Sequence, residues 1–244
     1  MYLVAHLWEL NALDQQVVSR SLSGRFSRTL YRYGLATARV IVCNSEQQAT
    51  RLERLLQRAN VIVIRNGHVI GSQPVHKGSI IFCVTRMVEV KQPEIFVELA
   101  KSMPRYDFVL AGTGPLEERV KHAAERVPNL RFVGRVSDDV KRAYFQEAKV
   151  FVNCSKAEGF PTTLIEAGIF GVPYVGFFDP DEVICRYNLG YHPRSLEELK
   201  IGIMELMEDT EKQHEIGKNI RRYVEEHHNI EKTIEAYNEL LKDL

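Results

Sequence analysis

Two glutamates bracket a short turn in the stretch AEGFPTTLIEAGIFGVP, residues 157–173. The stretch directly follows the apolar run KVFVNCS, so we predict that a strand ends just before it and that Gly159 and Pro161 form the turn. Glu158 then lies in the loop at the carboxyl end of a strand, and Glu166 lies one turn into the following helix. This position and this pair of residue types suit ligand binding.

The start of that helix is a candidate anion site. Open α/β sheets bind ligands at the carboxyl ends of their strands, and the free amides of a first helical turn attract anions with the help of the helix dipole. Here those amides belong to Thr162, Thr163 and Leu164. A neighbouring carboxylate can accept hydrogen bonds from both hydroxyls of a sugar diol. The turn therefore suits a ligand with phosphate and sugar groups; the alternative is that Glu158 is a solvated loop residue and Glu166 a partner of the helix dipole.

Composition excludes several classes of protein. With 244 residues, of which 45% are apolar and 26% charged, the chain can form one large domain or two small ones. The 32 Lys+Arg balance the 32 Asp+Glu, so no net charge indicates nucleic acid as a partner. No apolar run approaches the roughly 18 residues that a membrane span needs, and no signal-peptide pattern follows Met1. We expect a soluble, cytoplasmic protein.

The cysteines indicate a reduced protein without a metal centre. Three of them lie in or end the apolar runs VIVCN, IIFCV and FVNCS, as buried core thiols do. No group of His, Cys and Asp has the spacing of a known metal site, so we expect no bound metal. The four positions are Cys43, Cys83, Cys154 and Cys185.

Short strand-like runs alternate with helical stretches along the chain. The runs are continuous in Val, Ile and Phe, as in parallel strands buried on both faces, so we predict the α/β class with doubly wound sheets. The predicted strands are residues 2–6, 39–44, 61–64, 79–84, 106–111, 130–133, 149–153 and 173–177. Segment 66–78, NGHVIGSQPVHKG, is the most Gly- and Pro-rich connection, and we place a domain boundary there.

The stretch EGFPTTLIEAGIFGVPYV resembles the E-x(7)-E signature of retaining nucleotide-sugar glycosyltransferases with the GT-B fold, specifically glycosyltransferase family 4. Other segments follow in that family's order: VCNSEQQATRL (42–52), VIRNG (63–67), CVTRMVEVKQPEIFVELA (83–100), FVLAGTGPLEERV (108–120) and LRFVGRVSDDVKRAYFQEAKVFVNCS (130–155). The similarity runs from about residue 39 to the C-terminus. It implies a Rossmann-like C-terminal domain that binds a nucleotide sugar, preceded by the terminal part of a second Rossmann-like domain.

The resemblance assigns roles to four charged residues. In the family, an Arg and a Lys after the first strand of the C-terminal domain hold the donor diphosphate, and TRMVEVK places Arg86 and Lys91 there. Two cations would stabilise a departing nucleoside diphosphate without a metal, although taken alone they would more often be surface residues. The family's second glutamate holds the ribose and its first approaches the transferred sugar, which assigns Glu166 and Glu158. The turn between them would supply backbone donors: Gly159, Phe160, Pro161, Thr162 and Thr163.

Two further turns resemble donor-binding segments. AGTGPLEE is similar to the family's AGxGP turn, in which Gly112 and Gly114 let the backbone approach the donor; a tight turn without ligand contact is the alternative. GRVSDDV is similar to the segment whose backbone contacts the nucleobase. Arg135 and Val136 would frame the base, while Ser137 could equally be only a helix N-cap.

The resemblance is incomplete at both ends. GFFDPDEVICRYNLG stands where the family often has a Gly-Gly then Glu stretch, which leaves the sugar open. VAHLWELN, residues 4–11, looks like the end of the N-terminal domain's active-site strand, so His6 is a candidate catalytic residue, with a structural or solvated histidine as the alternative. We expect a partial acceptor-side domain at 1–70, a nucleotide-sugar-binding domain at 71–226 and a crossover helix at 227–244.

Two other segments suggest surfaces rather than chemistry. Segment 20–39 is rich in arginine and has no acidic residue, which suits a solvated basic face or peripheral contact with an anionic membrane surface. The last run, NIEKTIEAYNELLKDL, is expected to pack through one helical stripe. That stripe is formed by Ile230, Ile234, Tyr237 and Leu241.

Together these features predict a retaining glycosyltransferase, or its donor-binding portion. It would move a hexose from a nucleotide sugar such as a UDP- or GDP-hexose to a hydroxyl of an acceptor glycan, lipid or small molecule, without a cofactor. The alternatives are a non-catalytic nucleotide-sugar-binding subunit or remnant that needs a partner chain, and another GT-B enzyme such as a sugar-nucleotide epimerase. Because only about 70 residues precede the boundary, we expect poor transfer by the chain alone, with its sheet edge covered by self-association or a separately encoded N-terminal subunit.

Overall fold

The computed structural model describes residues 4–6, 33–35, 37–57, 60–71 and 78–242. The chain divides into two compact units. The first contains the described residues up to Val69 and those from His227 onward, and the second extends from Ile70 to Glu226. Of the arginine-rich segment, 20–32 and residue 36 lie outside the described residues. Within the part of the chain that is described, no helix has the length and apolar character needed to cross a membrane.

Strands form where the continuous apolar runs occur, and each predicted strand overlaps an observed one, with Leu130–Gly134 and Ala148–Asn153 one residue longer than predicted at one end. They are Val4–His6 (β1), Val40–Cys43 (β2), Val61–Val63 (β3), Ile80–Val84 (β4), Phe108–Ala111 (β5), Leu130–Gly134 (β6), Ala148–Asn153 (β7), Tyr174–Gly176 (β8) and Gly190–Tyr191 (β9). All pair in parallel, which confirms the α/β class with parallel sheets. The prediction missed β9, because two residues that include a glycine form no apolar run.

Helices lie between these strands and after the last one. From residue 46 onward they are Glu46–Leu56 (α1), Pro93–Ser102 (α2), Glu117–Ala124 (α3), Asp138–Glu147 (α4), Thr162–Ile169 (α5), Val183–Arg186 (α6), Leu196–Glu208 (α7), Thr210–His227 (α8) and Ile230–Lys242 (α9). Serine side chains cap three of them, since Ser45, Ser137 and Ser195 each accept a hydrogen bond from an amide in the first turn. Ser137 is therefore a helix N-cap, which was one of its two predicted roles.

The second unit is a six-stranded sheet in the order β6-β5-β4-β7-β8-β9. Side chains alternate across each strand, so Ile81 and Cys83 of β4 face one helical layer and Ile80 and Phe82 face the other. The first layer is formed by α2, α3 and α7, and the second by α4 and α5. Helix α8 contributes to both layers, through Ile216 on one side and residues such as Ile220 on the other. The sheet is therefore doubly wound and buried on both faces.

The first unit has a three-stranded parallel sheet in the order β1-β2-β3. Helix α9 packs against it and contributes Ala236, Tyr237 and Leu240 to a cluster with Val40 and Val42 of β2. The candidate histidine His6 is the last residue of β1 and lies in register with Val42, but its side chain is outside the described part of the structure.

The predicted packing stripe of α9 was partly wrong. Ile234 and Leu241 are 54% and 62% exposed, while Tyr237 does pack on the sheet. The hydroxyl of Thr233 donates to the carbonyl of Arg65 at 3.0 Å, and a side chain at Gly67 would lie only 2.7 Å from the Cα of Ile230. This close approach of backbone to helix turns the neighbouring face of α9 toward the sheet.

Candidate functional site

Strands β4 and β7 lie side by side in the middle of the second unit's sheet. The chain leaves β4 toward β5 and β6 on one side and then returns to β7 on the other, so the strand order reverses between β4 and β7. Ligands of doubly wound sheets bind at this switch point, outside the carboxyl ends of the strands. The loop after β4 carries Arg86 and Lys91, and the loop after β7 carries Glu158. The fold therefore brings three predicted site residues to one crevice.

An ion pair spans the switch point. The ammonium of Lys91 is paired with Oε2 of Glu158, and the two side chains are only 12% and 13% exposed. The other carboxylate oxygen lies 3.4 Å from Nδ2 of buried Asn153, whose own Oδ1 accepts from the amide of Ser155 at 2.8 Å. A backbone hydrogen bond from Lys156 to Val90, 2.9 Å long, ties the same two loops together. Sequence analysis placed Lys91 and Glu158 separately and missed both their pairing and the contribution of Asn153.

The glycine turn after β5 positions the loop that carries the cations. Gly112 has φ 138°, and a Cβ atom there would overlap the carbonyl oxygen of Thr85. Gly114 has φ 153°, and a Cβ atom would lie 2.7 Å from the carbonyl oxygen of Met87. The amide of Met87 in turn donates to Thr113 at 3.0 Å. The fold itself thus requires both glycines, and contact of this turn with a donor stays a prediction.

The helix after the signature turn begins where the sequence predicts, at Thr162. Two details of the predicted anion site were wrong. The amide of Leu164 donates to the carbonyl of Pro161 at 3.1 Å, so it is not free, and Pro161 has no N–H to donate. The side chain of Phe160 is 4% exposed and belongs to the hydrophobic core. Contact of an anion with the other amides of the turn, those of Gly159, Phe160, Thr162 and Thr163, stays a prediction.

A second ion pair holds the other signature glutamate. Lys141 of α4 lies 2.6 Å from Oε1 of Glu166 and 3.1 Å from Asp138, and the side chains of Lys141 and Glu166 are both 20% exposed. Burial lowers the pKa of Lys141, but its hydrogen bonds to the two carboxylates outweigh burial and raise the pKa above the ordinary value. Lys141 was not among the predicted site residues. Its signal was weak, because a lysine four residues after a helix N-cap usually belongs to a solvated face.

The remaining predicted residues lie around this edge without forming a closed cluster. Arg86 is exposed, and its carbonyl accepts from the amide of Val88 at 2.9 Å. Arg135 is exposed, whereas Val136 packs partly against the core. Arg135 and Val136 both follow β6, and β5 separates this strand from β4 at the switch point. A nucleotide reaching from Lys91 toward Arg135 would therefore have to extend across the ends of β4, β5 and β6.

Tyr174 of β8 lies beneath the signature turn. Its side chain is fully buried, and its hydroxyl donates to the carbonyl of Phe178 at 3.0 Å. Burial, followed by the negative charges of Glu158 and Asp179, raises the pKa of Tyr174 well above its ordinary value. A phenol kept protonated here is a permanent hydrogen-bond donor that fixes the loop after β8.

Taken together, the edge presents two lysine–glutamate pairs, an exposed arginine and the first amides of a helix. The cations suit a diphosphate, and the carboxylates suit hydroxyl groups. An incoming diphosphate would compete with Glu158 for Lys91, since both are anionic partners of one ammonium. The arrangement can therefore bind a molecule that carries both anionic and polyol groups.

Comparison with known proteins identifies the family of this domain. Residues 70–223, more than half of the chain, match the family described as glycosyl transferases group 1. An uncharacterized glycosyltransferase from Haemophilus influenzae is 25% identical over 241 residues, which cover 89% of this chain and 65% of that protein.

Two solved structures share the fold. A mutant of TarM from S. aureus, in complex with fondaparinux, alpha-GlcNAc-glycerol and UDP, has a TM-score of 0.82 at 19% identity, covering 97% of this chain and 50% of its own. HepE from Anabaena in complex with UDP-glucose has a TM-score of 0.82 at 19% identity, covering 100% of this chain and 72% of its own. The chain thus spans between half and about three quarters of the length of these proteins. With its parallel, doubly wound domain of GT-B type, the chain belongs to the glycosyl transferases group 1 family.

Proposed function

We propose that this protein transfers a hexose from a nucleotide sugar to an acceptor hydroxyl, with retention at the anomeric carbon. The observation that carries the proposal is the Lys91–Glu158 pair at the switch point of the sheet. In this proposal the ammonium serves the leaving diphosphate, and the neighbouring carboxylate serves the hydroxyls of the sugar. The HepE structure contains UDP-glucose and the TarM structure contains UDP, which makes a uridine nucleotide the first donor to test.

The two lysines have different parts in this proposal. Lys91, with Arg86 on the same loop, would move part of its interaction from Glu158 to the diphosphate as charge develops on the leaving group. Lys141 would stay with Glu166 and orient its carboxylate toward the two ribose hydroxyls. No protein nucleophile is assigned: the departing phosphate would accept the proton of the acceptor hydroxyl. Glu158 is therefore a sugar-binding group and not the nucleophile of a glycoside-hydrolase mechanism.

Isothermal titration with UDP and UDP-hexoses, and with GDP and GDP-hexoses in parallel, tests the donor site. Glu166→Gln should weaken binding of the nucleotide and the nucleotide sugar by a similar factor, about tenfold, because the amide replaces one acceptor oxygen with a donor. Glu158→Gln should weaken binding of the nucleotide sugar while leaving the free diphosphate unchanged or tighter, because Lys91 loses its competing partner. Glu118→Gln, at an exposed position of α3, is the matched control and should change neither affinity.

Activity is tested separately by release of nucleoside diphosphate with and without candidate acceptors. Donor binding without turnover would favour a non-catalytic nucleotide-sugar-binding subunit that needs a partner chain. Absence of binding to any nucleotide or nucleotide sugar would overturn the proposal. Loss of nucleotide affinity in Glu158→Gln with no change in Glu166→Gln would show that the roles of the two glutamates are reversed.

A further inference from the structure

A second polar cluster lies in the connection after β8, in the stretch that departs from the family's pattern. Asp179, Cys185 and His192 each offer one atom that could bind a metal, and these atoms all lie within 4.8 Å of one another. Asp179 follows β8, Cys185 lies in α6 and His192 follows β9 directly. Their separations in sequence match no metal-binding motif, and only the return of the chain through β9 brings them together.

The hydrogen bonds of His192 fix which ring nitrogen faces the cluster. Nε2 lies 3.2 Å from the carbonyl oxygen of Phe177, which can only accept a hydrogen bond, so Nε2 carries the proton. In the neutral ring, Nδ1 is then a lone-pair acceptor, and it lies 3.9 Å from Oδ2 of Asp179. Two acceptors that face each other in a buried place repel, and either a proton on Nδ1 or a metal ion between them relieves that repulsion. The side chains are only 13% and 3% exposed, so solvent screens this repulsion poorly.

The spacing of the three groups fits a small divalent cation. Zinc bonds of about 2.0–2.3 Å in tetrahedral geometry put ligand atoms about 3.3–3.8 Å apart. The observed 3.9 Å between Nδ1 and Oδ2 needs a contraction of only a few tenths of an ångström. Cys185 is exposed, so its sulfur can approach by rotation of the side chain without repacking of the core.

The surroundings also orient the ligands as in metal sites. The imidazole donates its other N–H to a backbone carbonyl, which is the usual support of a metal-binding histidine. The carboxylate of Asp179 accepts from the amides of Ile184 at 2.7 Å and Cys185 at 3.2 Å. A carboxylate has about four lone-pair positions, and these bonds fix its orientation; the Cys185 thiol also donates to it, and that proton would leave when the thiolate bound a metal.

We propose that Asp179, Cys185 and His192 form a binding site for a borderline-soft divalent cation such as Zn²⁺, with water as the remaining ligand. Thiolate and imidazole together select zinc-like cations over Mg²⁺ and Ca²⁺, which prefer oxygen ligands. The proposal does not depend on the donor-binding function. Its cation would lie in the loop that Tyr174 fixes through Phe178, beside the edge of the sheet that holds Glu158.

Equilibrium dialysis of the reduced, metal-stripped protein against Zn²⁺ tests the site. We expect one ion per chain, with Cys185→Ser and His192→Asn each weakening its binding by at least about tenfold. His122→Asn, at an exposed position of α3 in the same unit, is the matched control and should bind Zn²⁺ like the unchanged protein. Far-UV circular dichroism and the melting temperature of each variant establish that it is folded.

Two further measurements report on the site directly. Bound Co²⁺ should give a thiolate charge-transfer band that is absent in Cys185→Ser. Zn²⁺ should slow alkylation of Cys185, located by peptide mass spectrometry, and the protection should be lost in His192→Asn. The proposal is overturned if Zn²⁺ binds equally to folded Cys185→Ser, if no ion binds, or if the NMR shifts of the His192 ring do not respond to Zn²⁺.

Discussion

At the edge of the sheet that we propose to bind the donor, each signature glutamate is paired with a lysine from another element. Lys91 comes from the connection after β4 and Lys141 from the first turn of α4. Partly buried ion pairs of this kind couple the positions of two elements, and removing one partner leaves a charge without compensation. The pairs therefore shape the site before any ligand arrives.

The coupling of Lys141 to Glu166 is measurable by a double-mutant cycle with Lys141→Met and Glu166→Gln. We expect a coupling free energy of unfolding of about 1 kcal/mol, because both side chains are largely shielded from solvent. The matched control is the pair Lys200–Glu197, whose glutamate is 74% exposed, so its coupling should be no more than a few tenths of a kcal/mol. Denaturant unfolding of the four proteins of each cycle gives both values. Equal coupling in the two cycles would mean that the Lys141–Glu166 pair contributes no more than a surface contact.

Arg86 is predicted to bind the diphosphate although it is exposed in the unliganded chain. Arg86→Ala should weaken binding of a nucleoside diphosphate by about 2 kcal/mol, the lower end of the cost of truncating a buried charged partner. The nucleoside monophosphate should lose less affinity, because it lacks the second phosphate. Arg126→Ala, beyond the opposite end of α3 and also exposed, is the matched control in the same titrations. Equal loss for both nucleotides would place Arg86 away from the diphosphate.

Among the elements, the β5–α3 turn and the loop after β4 depend on each other. Gly112→Ala would force a Cβ atom into the carbonyl of Thr85 at a backbone conformation with φ 138°, so we expect a loss of more than about 3 kcal/mol in unfolding free energy. Gly134 also has a positive φ, 63°, but a Cβ atom added there would lie 3.8 Å from its nearest neighbour, Glu117 Oε1. Gly134→Ala should therefore lower the free energy of unfolding by only about 1–2 kcal/mol, which is the backbone conformational penalty alone. Similar losses in chemical denaturation of the two variants would show that the clash at Gly112 relaxes.

The junction of α8 and α9 carries a buried histidine with a consequence for pH. His228 is fully buried, and its Nδ1–H donates to the carbonyl of Asn66 at 2.9 Å. Burial, opposed by this hydrogen bond and assisted by the charge of Arg65, lowers the pKa of His228 from 6.5 to about 3. Between these two values the unfolded chain binds more protons than the folded one, so stability falls as the pH drops below about 6.5.

The expected loss is about 2 kcal/mol in the unfolding free energy of the first unit between pH 8 and pH 5. Unfolding in urea at several pH values gives this dependence. Unfolding of the first unit is followed through hydrogen exchange of the β2 amides, and the measured exchange rates are corrected for the pH dependence of intrinsic exchange. His228→Gln keeps a donor for Asn66 without the titration and should flatten the curve in this range. An unchanged slope in His228→Gln would assign the pH dependence to other groups.

Local patterns predicted the elements better than they predicted their partners. The strands followed from continuous apolar runs such as IIFCV, and the turn followed from the permissive backbone of Gly159 and the fixed φ of Pro161. The Lys91–Glu158 pair joins residues 67 positions apart and depends on the strand order, which no local pattern contains. The same holds for His192 and Asp179, which meet only because β9 returns beside β8. The face of α9 was assigned wrongly because its apolar residues cover more than one stripe, and the contact of Thr233 with Arg65 decides between them.

At the scale of the whole molecule, the predicted site residues other than His6 all belong to the second unit. Arg86, Lys91, Glu158 and Glu166 lie between Ile70 and Glu226, and His6 lies in the first unit. A ligand that binds only the folded second unit stabilises it by about 2.7 kcal/mol at 100 times its Kd, whatever the first unit does. Nucleotide binding should therefore leave a signature confined to one part of the chain.

Hydrogen exchange with and without saturating UDP tests this separation. We expect slower exchange in the loops after β4, β5 and β7, residues 85–92, 112–116 and 154–163, because bound nucleotide orders the backbone that contacts it. Amides of β1, β2 and β3 should exchange at unchanged rates. Glu166→Gln is the control at a UDP concentration near the Kd of the unchanged protein, where its lower occupancy should reduce the protection of every loop together. Protection that extends to β1 would instead place the first unit, and with it His6, in contact with the bound nucleotide, and the donor site would then require both units.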